Sequence, residues 1–535
     1  MPTPNFLFFI SDQQRFDHVG YFGNKVVQTP NLDALAGAGS WFSRFFVSSP
    51  VCMSNRATFM TGRMPSLHGV RHNGIPLSLE SVNFTDILRA AGYKNALIGK
   101  CHIQGMHEEA ALAPRAEMHG QHKPPPAHLS EALRSRHTDD EYKVEMQEAW
   151  AKDASFEENI RTPYYGFDDV QFCLGHGDKV TGHYRRWLDK KSTDTIHSGI
   201  EHAIDKSEVD ARQVYKPKVS EEFYPTKFVE EQTIDWLGRH KKDNSEQPFF
   251  LQCSFPDPHH PFTPPGKYWS MYDPNEVELP ESFYKANKDA TPPVRRLWDE
   301  FEAGEEPERW TYPFVAGEAQ ARDILAKTYG QISMIDDAIG AVLRSLEELG
   351  LRENTVICFM SDHGDYLGDH GLMLKGPMHY QSIIRVPFIW CDTESRYNSG
   401  RIDNMGTTLD LAKTILSRAE LQPFNGVQGE DLLAALAGES SDASRSVLIE
   451  TNTAYPFLGF DDLVSVTTLV DDRWRLSVWQ GCEWGELYDL TNDPSELHNL
   501  WDEVEFKEMR SKLMHTLLKT IQDHGDKSPY PLSVA

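Results

Sequence analysis

The stretch Asn5-Phe-Leu-Phe-Phe-Ile-Ser-Asp-Gln13 has the same design as the later stretch Thr355-Val-Ile-Cys-Phe-Met-Ser-Asp-His363. In each, a short apolar run that predicts a β-strand ends in Ser and is followed at once by an acidic residue, Asp12 or Asp362. Ligands of open α/β sheets bind at the carboxyl ends of the strands. The two stretches therefore predict a sheet whose carboxyl edge carries two carboxylates.

Short apolar runs alternate with helical patterns along the whole chain, and this rhythm implies an α/β fold with a mostly parallel central sheet flanked by helices. The runs interpreted as strands are Asn5–Ser11, Asn31–Ala38, Asn95–Ile98, Phe249–Phe255, Thr355–Ser361 and Val386–Trp390. The clearest helix has apolar residues three and four apart from Leu325 to Leu349 and ends near Gly350.

The length of 535 residues predicts one large domain and a smaller one. We place the main domain at residues 1–440 and a C-terminal subdomain at 441–535. Short alternating runs predict a small antiparallel sheet in that subdomain, at Val447–Glu450, Leu463–Val470 and Arg473–Trp479. The polar stretch at about 104–241 is interpreted as a largely helical insertion, and 256–313 as a long loop near the site.

Charge and composition exclude several classes of partner. Acidic residues outnumber basic ones by 80 to 53, for a net charge of -27, and this field repels nucleic acids and anionic membranes. No apolar stretch approaches the roughly 20 residues that span a bilayer. The seven cysteines form neither a metal-binding CxxC pattern nor an evident disulfide framework. We therefore expect a cytoplasmic protein with no nucleic-acid or membrane partner, whose anion-binding groups are local.

Cys52 begins a predicted helix in the segment Ser49-Pro-Val-Cys-Met-Ser-Asn-Arg56. Unpaired backbone N–H groups and the helix dipole favour an anion or a thiolate at such a helix start. Arg56, one turn later, can bind two oxyanion oxygens or hold a nucleophile. The C-x3-R spacing differs from the C-x5-R cradle of thiol-dependent phosphatases, which argues against a cysteinyl-phosphate route.

Basic side chains follow two more strand ends. Lys100 and His102 form a Lys-x-His pair whose side chains would point to one face of an extended segment, a fixed charge beside a proton carrier. His259 follows the Phe249–Phe255 run, and Lys375 lies shortly after Asp362. The insertion also contains several histidines without tight ligand spacing, which we interpret as solvated side chains: His107, His119, His122 and His128.

Four side chains at the two strand ends could share one hard divalent cation: those of Asp12, Gln13, Asp362 and His363. Two of them are carboxylates, one is an amide and one an imidazole. This mixed oxygen and nitrogen set makes Mn²⁺ at least as plausible as Ca²⁺ or Mg²⁺.

The ordered set of motifs resembles the sulfatase family of the alkaline phosphatase superfamily, and its landmarks span nearly the whole chain. In chain order they are Asp12-Gln13, Thr29-Pro-Asn-Leu-Asp-Ala-Leu-Ala36, Cys52-Met-Ser-Asn-Arg56 leading to Thr61-Gly-Arg63, Gly99-Lys-Cys-His102, Pro258-His-His-Pro261, Ser361-Asp-His-Gly-Asp365 and Glu486-Leu-Tyr-Asp-Leu-Thr-Asn-Asp-Pro-Ser-Glu-Leu-His-Asn-Leu500. The resemblance implies an alkaline-phosphatase-like fold.

The resemblance also implies a mechanism in which a maturation enzyme oxidises Cys52 to formylglycine. One hydroxyl of its hydrate attacks the sulfur of a small sulfate ester, with one divalent metal held by Asp12, Gln13, Asp362, His363 and the group at position 52. By the same resemblance, Arg56 steadies the nucleophile and Lys100 binds sulfate oxygens. His259 and Lys375 assist departure of the alcohol, and His102 deprotonates the second hydroxyl to expel sulfate.

Three departures from the family's usual pattern bear on function. Ser54 stands where the modification motif usually has Pro. Gln13 and His363 replace a second Asp and an Asn, which is similar to choline sulfatases and phosphonate monoester hydrolases. Lys100 and His102 differ from the Tyr-x-Thr of those phosphonate hydrolases, which favours sulfate.

Three functions stay open on the sequence. The first is hydrolysis of an aryl or alkyl sulfate ester, and the second is phosphonate monoester or phosphodiester hydrolysis at the same site, or promiscuous action on both. The third is a silent scaffold with an unmodified Cys52. His72 and Asn73 are candidate substrate contacts, and we expect a homo-oligomer.

Overall fold

A computed structural model of the chain describes residues 3–107, 139–153, 156–192, 195–243, 246–285, 290–307, 309–439, 445–454, 456, 458–527 and 533. Its strands are β1 Asn5–Ser11, β2 Ser40–Phe46, β3 Lys94–Gly99, β4 Asp169–Leu174, β5 Thr181–Gly182, β6 Asp205–Lys206, β7 Tyr215–Lys216, β8 Phe249–Ser254, β9 Phe314–Val315, β10 Thr355–Ser361, β11 Leu372–Met373, β12 Phe388–Cys391, β13 Gly400–Thr407, β14 Val447–Asn452, β15 Ser465–Val470, β16 Trp474–Trp479 and β17 Gly485–Asp489.

The α-helices of the described residues are mostly short, apart from three long ones. They are α1 Pro30–Ala38, α2 Cys52–Thr61, α3 Pro65–His68, α4 Phe84–Ala90, α5 Gln147–Lys152, α6 His183–Lys191, α7 Pro225–Asp243, α8 Glu281–Tyr284, α9 Pro292–Glu302, α10 Glu318–Glu348, α11 Gln381–Ile384, α12 Leu411–Arg418, α13 Leu433–Leu436 and α14 Lys507–Asp523. Helix α10 is the helix expected between Leu325 and Leu349, and the chain leaves it through Gly350 at φ +64°.

Within the described ranges, nine strands form the central sheet in the order β13-β2-β12-β10-β1-β8-β3-β4-β5. Five of its eight strand pairs are parallel, and three are antiparallel. The predicted mostly parallel sheet is therefore confirmed. Strands β10, β1, β8, β3 and β4 lie side by side in parallel, so their carboxyl ends meet at one edge.

The apolar residues of strand β1 pack on both faces of the sheet. Leu7 and Phe9 pack on one side against a cluster that includes residues of α1, α7 and α10. Phe6, Phe8 and Ile10 pack on the other side with residues of α2, α4 and α12. A parallel strand covered on both faces has no polar side to alternate with, so its sequence is a continuous apolar run.

The segment Asn31–Ala38 was wrongly interpreted as a strand and is part of helix α1. Pro30 occupies the start of that helix, where its fixed φ is favourable. The buried residues Leu32, Leu35 and Ala36 follow helical spacing of three and one, whereas a half-buried strand would alternate. The adjacent strand β2 was not predicted.

The segment at about 104–241 differs from the helical insertion that its polarity suggested. Its described part contains helices α5, α6 and α7, but also strand β4, which pairs in parallel with β3 inside the central sheet. The strand was hidden because Asp169 and Gln171 interrupt its apolar residues. The segment 256–313 is likewise more ordered than a long loop, since it contains α8 and α9.

The expected antiparallel sheet near the C-terminus is confirmed, with one strand more than predicted. Its order is β14-β15-β16-β17, and every neighbouring pair is antiparallel. Helix α14 covers it through Leu513 and Leu517, which pack with Leu448 and Leu476. The division at residues 440 and 441 stays a prediction. No helix in the described part of the chain has the length and apolar character needed to cross a membrane.

Candidate active site

The parallel register of β1 and β10 brings the two predicted acids together. Ser11 lies opposite Ser361, so Asp12 and Asp362 leave the sheet side by side, and both side chains are fully buried. The N–H of Asp362 donates to the Ser11 carbonyl at 3.1 Å, and the N–H of Gln13 donates to Asp362 Oδ1 at 3.1 Å. The carboxyl edge therefore holds two neighbouring carboxylates, as predicted.

Cys52 is the first residue of α2, after Val51 in an extended conformation. Its Sγ lies 3.0 Å from His363 Nε2 and 3.0 Å from Lys375 Nζ. Asn55, on the same helix, donates its side-chain amide to the Asp362 carbonyl at 2.7 Å, which fastens the helix start to the strand end. The helix dipole and the neighbouring lysine both favour negative charge at position 52.

The electrostatic surroundings of Cys52 favour its ionised form. Burial alone raises the pKa of the thiol, but the charge of Lys375 and the nearby His363 and Lys100 outweigh it and lower the pKa to about 6. The side chain is 1% exposed, so these charges act through little solvent. Position 52 is thus prepared for a nucleophile.

Arg56 is fixed one helical turn after Cys52, as predicted. Its Nε donates to Asp362 Oδ2 at 2.8 Å, and one terminal nitrogen donates to the Lys100 carbonyl and to Ser254 Oγ, each at 3.0 Å. The other terminal nitrogen has no hydrogen-bond partner among the described residues. The guanidinium is held in place with one donor group to spare.

Lys375, which follows the short strand β11, lies at the centre of the cluster. Its Nζ is 2.9 Å from Gln13 Oε1, 3.2 Å from His259 Nε2 and 3.0 Å from His363 Nε2, in addition to its contact with Cys52. An ammonium has only three N–H donors, so it cannot satisfy all of these acceptors at once. Lys375 therefore has alternative partners within the site.

His259 follows β8, and its Nδ1 donates to the His260 carbonyl at 2.6 Å. Burial lowers the pKa of His259, and the neighbouring His176, His260 and Lys375 lower it further. The imidazole is therefore neutral, with Nε2 available as an acceptor towards Lys375.

The prediction that Lys100 and His102 extend from a straight segment is wrong in its geometry. His102 has a φ of +55°, which turns the backbone after strand β3. Its N–H donates to Glu145 Oε2 at 2.5 Å, which holds the turn. Burial, followed by the charge of Lys100, lowers the pKa of His102, and its Nδ1 has no hydrogen-bond partner among the described residues.

One group of side chains in the site fits a metal ion. The ligand atoms of Asp12, Cys52, Asp362 and His363 lie within 4.8 Å of one another. Asp12 Oδ1 is buried without a hydrogen-bond partner in the described chain, as expected for an atom that coordinates a cation. The side chain of Gln13 contacts this group indirectly, because its Oε1 accepts from Lys375 and its Nε2 contacts Asp365 and His260.

Sequence reasoning missed two residues of this site. His176 follows strand β4, and its Nε2 lies 2.7 Å from Lys100 Nζ and 3.4 Å from Asp12 Oδ2. Asp365 contacts Gln13, and burial raises its pKa to about 6. The available signal for His176 was its position between Gly175 and Gly177, directly after a short apolar run.

The remaining candidates have local partners. Asn73 Oδ1 accepts from the N–H of Met53 at 3.1 Å and so supports the start of α2. His72 Nδ1 lies 2.8 Å from the Asn73 carbonyl. His107 is exposed and pairs with Glu148 at 3.3 Å, as expected for a solvated side chain. His119, His122 and His128 lie outside the described residues.

The sequence that carries this helix-start cysteine, the arginine one turn later and the two strand-end acids matches the family model described as Sulfatase over residues 4–140 and 177–421. The chain belongs to the sulfatase family. A second model, described as the C-terminal part of N-sulphoglucosamine sulphohydrolase, matches residues 368–523. The sulfatase is thus a hydrolase acting on sulfate esters.

Two sequence relatives agree with that family, and a solved structure shares its fold. The sulfatase is 27% identical to the uncharacterized sulfatase YidJ of Escherichia coli, with 98% of this chain and 88% of YidJ covered. It is also 27% identical to an arylsulfatase of Clostridium perfringens, with 97% and 94% covered. The phosphonate monoester hydrolase of Agrobacterium radiobacter shares the fold, with a TM-score of 0.73 at 23% identity over 98% and 96% of the two chains. The expected alkaline-phosphatase-like fold is confirmed.

Proposed function

We propose that this sulfatase hydrolyses an organic sulfate monoester, aryl or alkyl, with formylglycine derived from Cys52 as its nucleophile and with one divalent metal. The observation that carries the proposal is the position of Cys52. Its sulfur lies at a helix start, 3.0 Å from Lys375 Nζ and 3.0 Å from His363 Nε2. Oxidation of Cys52 by a formylglycine-generating enzyme supplies an aldehyde whose hydrate carries the attacking hydroxyl.

The residues that would hold the metal are Asp12, Gln13, Asp362, His363 and the group at position 52. The Oδ1 of Asp12, which is buried and has no hydrogen-bond partner in the part of the chain that the structure describes, supports this assignment. When bound there, Mn²⁺, Ca²⁺ or Mg²⁺ supplies Lewis-acid polarisation of the ester oxygen and lowers the pKa of the attacking hydroxyl.

Arg56 and Lys100 would bind and orient the reacting groups. Arg56 is anchored by Asp362, and its remaining terminal nitrogen can donate to the oxygen at position 52. Lys100 Nζ contacts Asp12 and His176, which leaves one of its three N–H donors for a sulfate oxygen. Both cations are buried, so their attraction for an anion is weakly screened.

Lys375 and His259 would assist the departing alcohol, because they form one hydrogen-bonded pair at 3.2 Å. Lys375 can donate a proton to the leaving oxygen, and the acceptor atom of His259 keeps the ammonium oriented. His102 is kept neutral by burial, and its Nδ1, which has no partner within the described ranges, can accept a proton from the group at position 52. This completes the acid and base functions that ester cleavage requires.

A second candidate function is hydrolysis of a phosphonate monoester or phosphodiester at the same site. The fold likeness to a phosphonate monoester hydrolase supports it, and a tetrahedral phosphorus ester fits the same cations. Lys100 and His102, in place of the Tyr-x-Thr of that branch, favour the sulfate ester.

The test is mass spectrometry of the peptide that spans Val47 to Arg56, together with kinetics on two substrates that share one aryl leaving group. We expect the mass of formylglycine at position 52 and a higher kcat/KM for the aryl sulfate than for the aryl phosphonate. A full thiol in protein from the native host would support the silent scaffold. A large phosphonate preference would reverse the ranking of the two esters.

A further inference from the structure

His176 belongs to the polar cluster described above, and neither the motifs nor the family resemblance assigned it a role. It lies in a turn after β4, between Gly175 at φ +105° and Gly177 at φ +56°. A Cβ at Gly177 would come within 2.9 Å of Pro261 Cγ, so this turn packs tightly on the loop that follows β8. The close packing fixes where the His176 ring lies.

The His176 ring makes two contacts with proposed catalytic side chains. Its Nε2 lies 2.7 Å from Lys100 Nζ. Its plane stacks on the His259 ring, with 3.6 Å between the ring centroids and 14° between the planes. It therefore connects the lysine proposed to bind sulfate with the histidine proposed to act on the leaving group.

The hydrogen bonds fix the protonation of both rings. An ammonium can only donate, so His176 Nε2 accepts from Lys100 and the ring proton lies on Nδ1. His259 has the same arrangement, since its Nδ1 donates to the His260 carbonyl and its Nε2 accepts from Lys375. The site thus contains two Lys–His pairs side by side, with two neutral rings stacked between them.

The stacking also excludes a metal site formed by Asp12, His176 and His259. Ligand atoms of Asp12, His176 and His259 lie close enough to hold a cation. An ion bound by imidazole lies in the plane of the ring, and two stacked, nearly parallel rings do not share a plane. Lys100 Nζ, moreover, already lies between Asp12 and His176. These side chains therefore bind the ammonium group of Lys100 and not a metal ion.

Exposure distinguishes His176 from its neighbours. Its side chain is 23% exposed, whereas those of Lys100 and Asp12 are 0% exposed. His176 therefore lies between the buried cluster and the solvent. Once a metal engages Asp12, His176 is the remaining hydrogen-bond partner that restrains the Lys100 ammonium among the described residues.

We propose that His176 is a positioning residue that fixes Lys100 through its Nε2 and the His259 ring through stacking. The proposal rests on the proposed sulfatase function. It predicts that the acceptor atom and the aromatic ring of His176 can be separated by mutation, because each one restrains a different partner.

The experiment uses the full-length enzyme with three substitutions. His176→Phe keeps a stacking ring without an acceptor, His176→Gln keeps an acceptor near Nε2 without a ring, and His176→Ala removes both. His202→Ala is the matched control, because the ring of His202 also lies next to a histidine ring, that of His197, with 4.7 Å between the centroids, but His202 is exposed. Formylglycine content is measured by mass spectrometry and all rates are normalised to it.

For His176→Ala we expect kcat/KM on an aryl sulfate to fall about 10- to 100-fold, the usual cost of removing a residue that orients a site. For His176→Phe we expect the inhibition constant of inorganic sulfate to rise about tenfold, since Lys100 loses its restraint. For His176→Gln we expect that constant to stay near wild type, while kcat depends more steeply on the pKa of the leaving phenol. His202→Ala should match wild type.

Two results would overturn the proposal. One is that His176→Ala leaves kcat, KM and sulfate inhibition within twofold of wild type. The other is that all three variants lose only active fraction, with unchanged KM and unchanged leaving-group dependence, as for a residue that only supports folding. Sulfate binding measured by calorimetry on wild type and His176→Phe tests the Lys100 contact even if the wild type hydrolyses no sulfate ester, so that a failure of the proposed function stays distinguishable.

Discussion

Two regions of this sulfatase that contain buried charges are the active site and the surroundings of Arg475 in the four-stranded sheet. Arg475 pairs with Glu496, and its terminal nitrogen lies 2.9 Å from Glu486 and 2.7 Å from Ser477 Oγ. Its guanidinium stacks 4.6 Å from the centre of the Tyr488 ring. Glu496 also accepts the N–H of Gln381 at 2.8 Å, which ties the C-terminal sheet to helix α11.

The two clusters differ in how their partners are shared. Arg475 has partners on its own and the neighbouring strand and on the segment that follows, and aromatic rings close around it. Lys375 has several acceptors, supplied by separate segments of the chain, and cannot satisfy them all at once. A buried charge with its own fixed partners holds parts of the fold together. A buried charge with interchangeable partners stays able to turn towards a ligand.

The largest expected effect is that of Cys52→Ala. Removal of the nucleophile should lower kcat on an aryl sulfate by about 10⁴-fold or more. The midpoint of thermal unfolding should change little, because only one small side-chain group is lost from the cluster. Steady-state kinetics and calorimetry measure the two quantities. A variant that keeps more than about a tenth of the activity would refute position 52 as the nucleophile.

Arg475→Met should have the next largest effect, on stability rather than on chemistry. It leaves Glu486 and Glu496 buried without their cation, which costs about 3 to 5 kcal/mol of unfolding free energy. Urea denaturation measures this change.

The unfolding free energy lost in Arg475→Met should depend on pH. Burial raises the pKa of Glu496 to about 7 even beside Arg475. A carboxyl whose folded pKa lies above its unfolded value favours folding below that unfolded value, and this contribution is lost as pH rises through the folded pKa. The variant should therefore be less destabilised at pH 6 than at pH 8. Equal losses at both would contradict this account.

Lys375→Met tests the cation whose hydrogen-bond partners are interchangeable. We expect kcat to fall about 10²- to 10³-fold, equivalent to about 3 to 4 kcal/mol of transition-state stabilisation. The loss should be larger for leaving groups of high pKa, because those need a proton most. A series of substituted phenyl sulfates measures it, and a uniform loss across the series would show that Lys375 only binds substrate.

The smallest effect is expected for Arg473→Met, which is the matched control for Arg475. Arg473 pairs with Asp489 near the same strand, but its side chain is 50% exposed. Exposed ion pairs often contribute nothing measurable to stability. We expect the urea midpoint to equal that of wild type within error. A loss as large as that of Arg475→Met would mean that burial does not separate the two pairs.

Much of the site could be predicted because its residues follow recognisable apolar runs. Asp12, Asp362 and Lys100 each come directly after such a run, and Cys52 begins a helix with Arg56 one turn later. Their roles, with those of Gln13, His102, His259, His363 and Lys375, stay proposals.

Other features could not be predicted because they depend on contacts between distant segments. His176 was missed because Asp169 and Gln171 interrupt the apolar pattern of strand β4. This strand is held in the sheet by its pairing with β3, which cannot be read from the sequence of β4 itself. The positive φ of His102 is held by Glu145, a residue 43 positions away. The pairing of Arg475 with Glu486 and Glu496 likewise exists only after three segments have met.

By itself, the sequence determined the family, the mostly parallel sheet and the order in which acidic and basic residues follow the strands, because apolar periodicity and local motifs are written along the chain. The tertiary structure alone decided which of these residues touch. Strand register placed Asp12 beside Asp362, and loop packing placed His176 against Lys100 and His259. Distances of about 3 Å between segments more than 70 residues apart follow from packing, which no local pattern encodes.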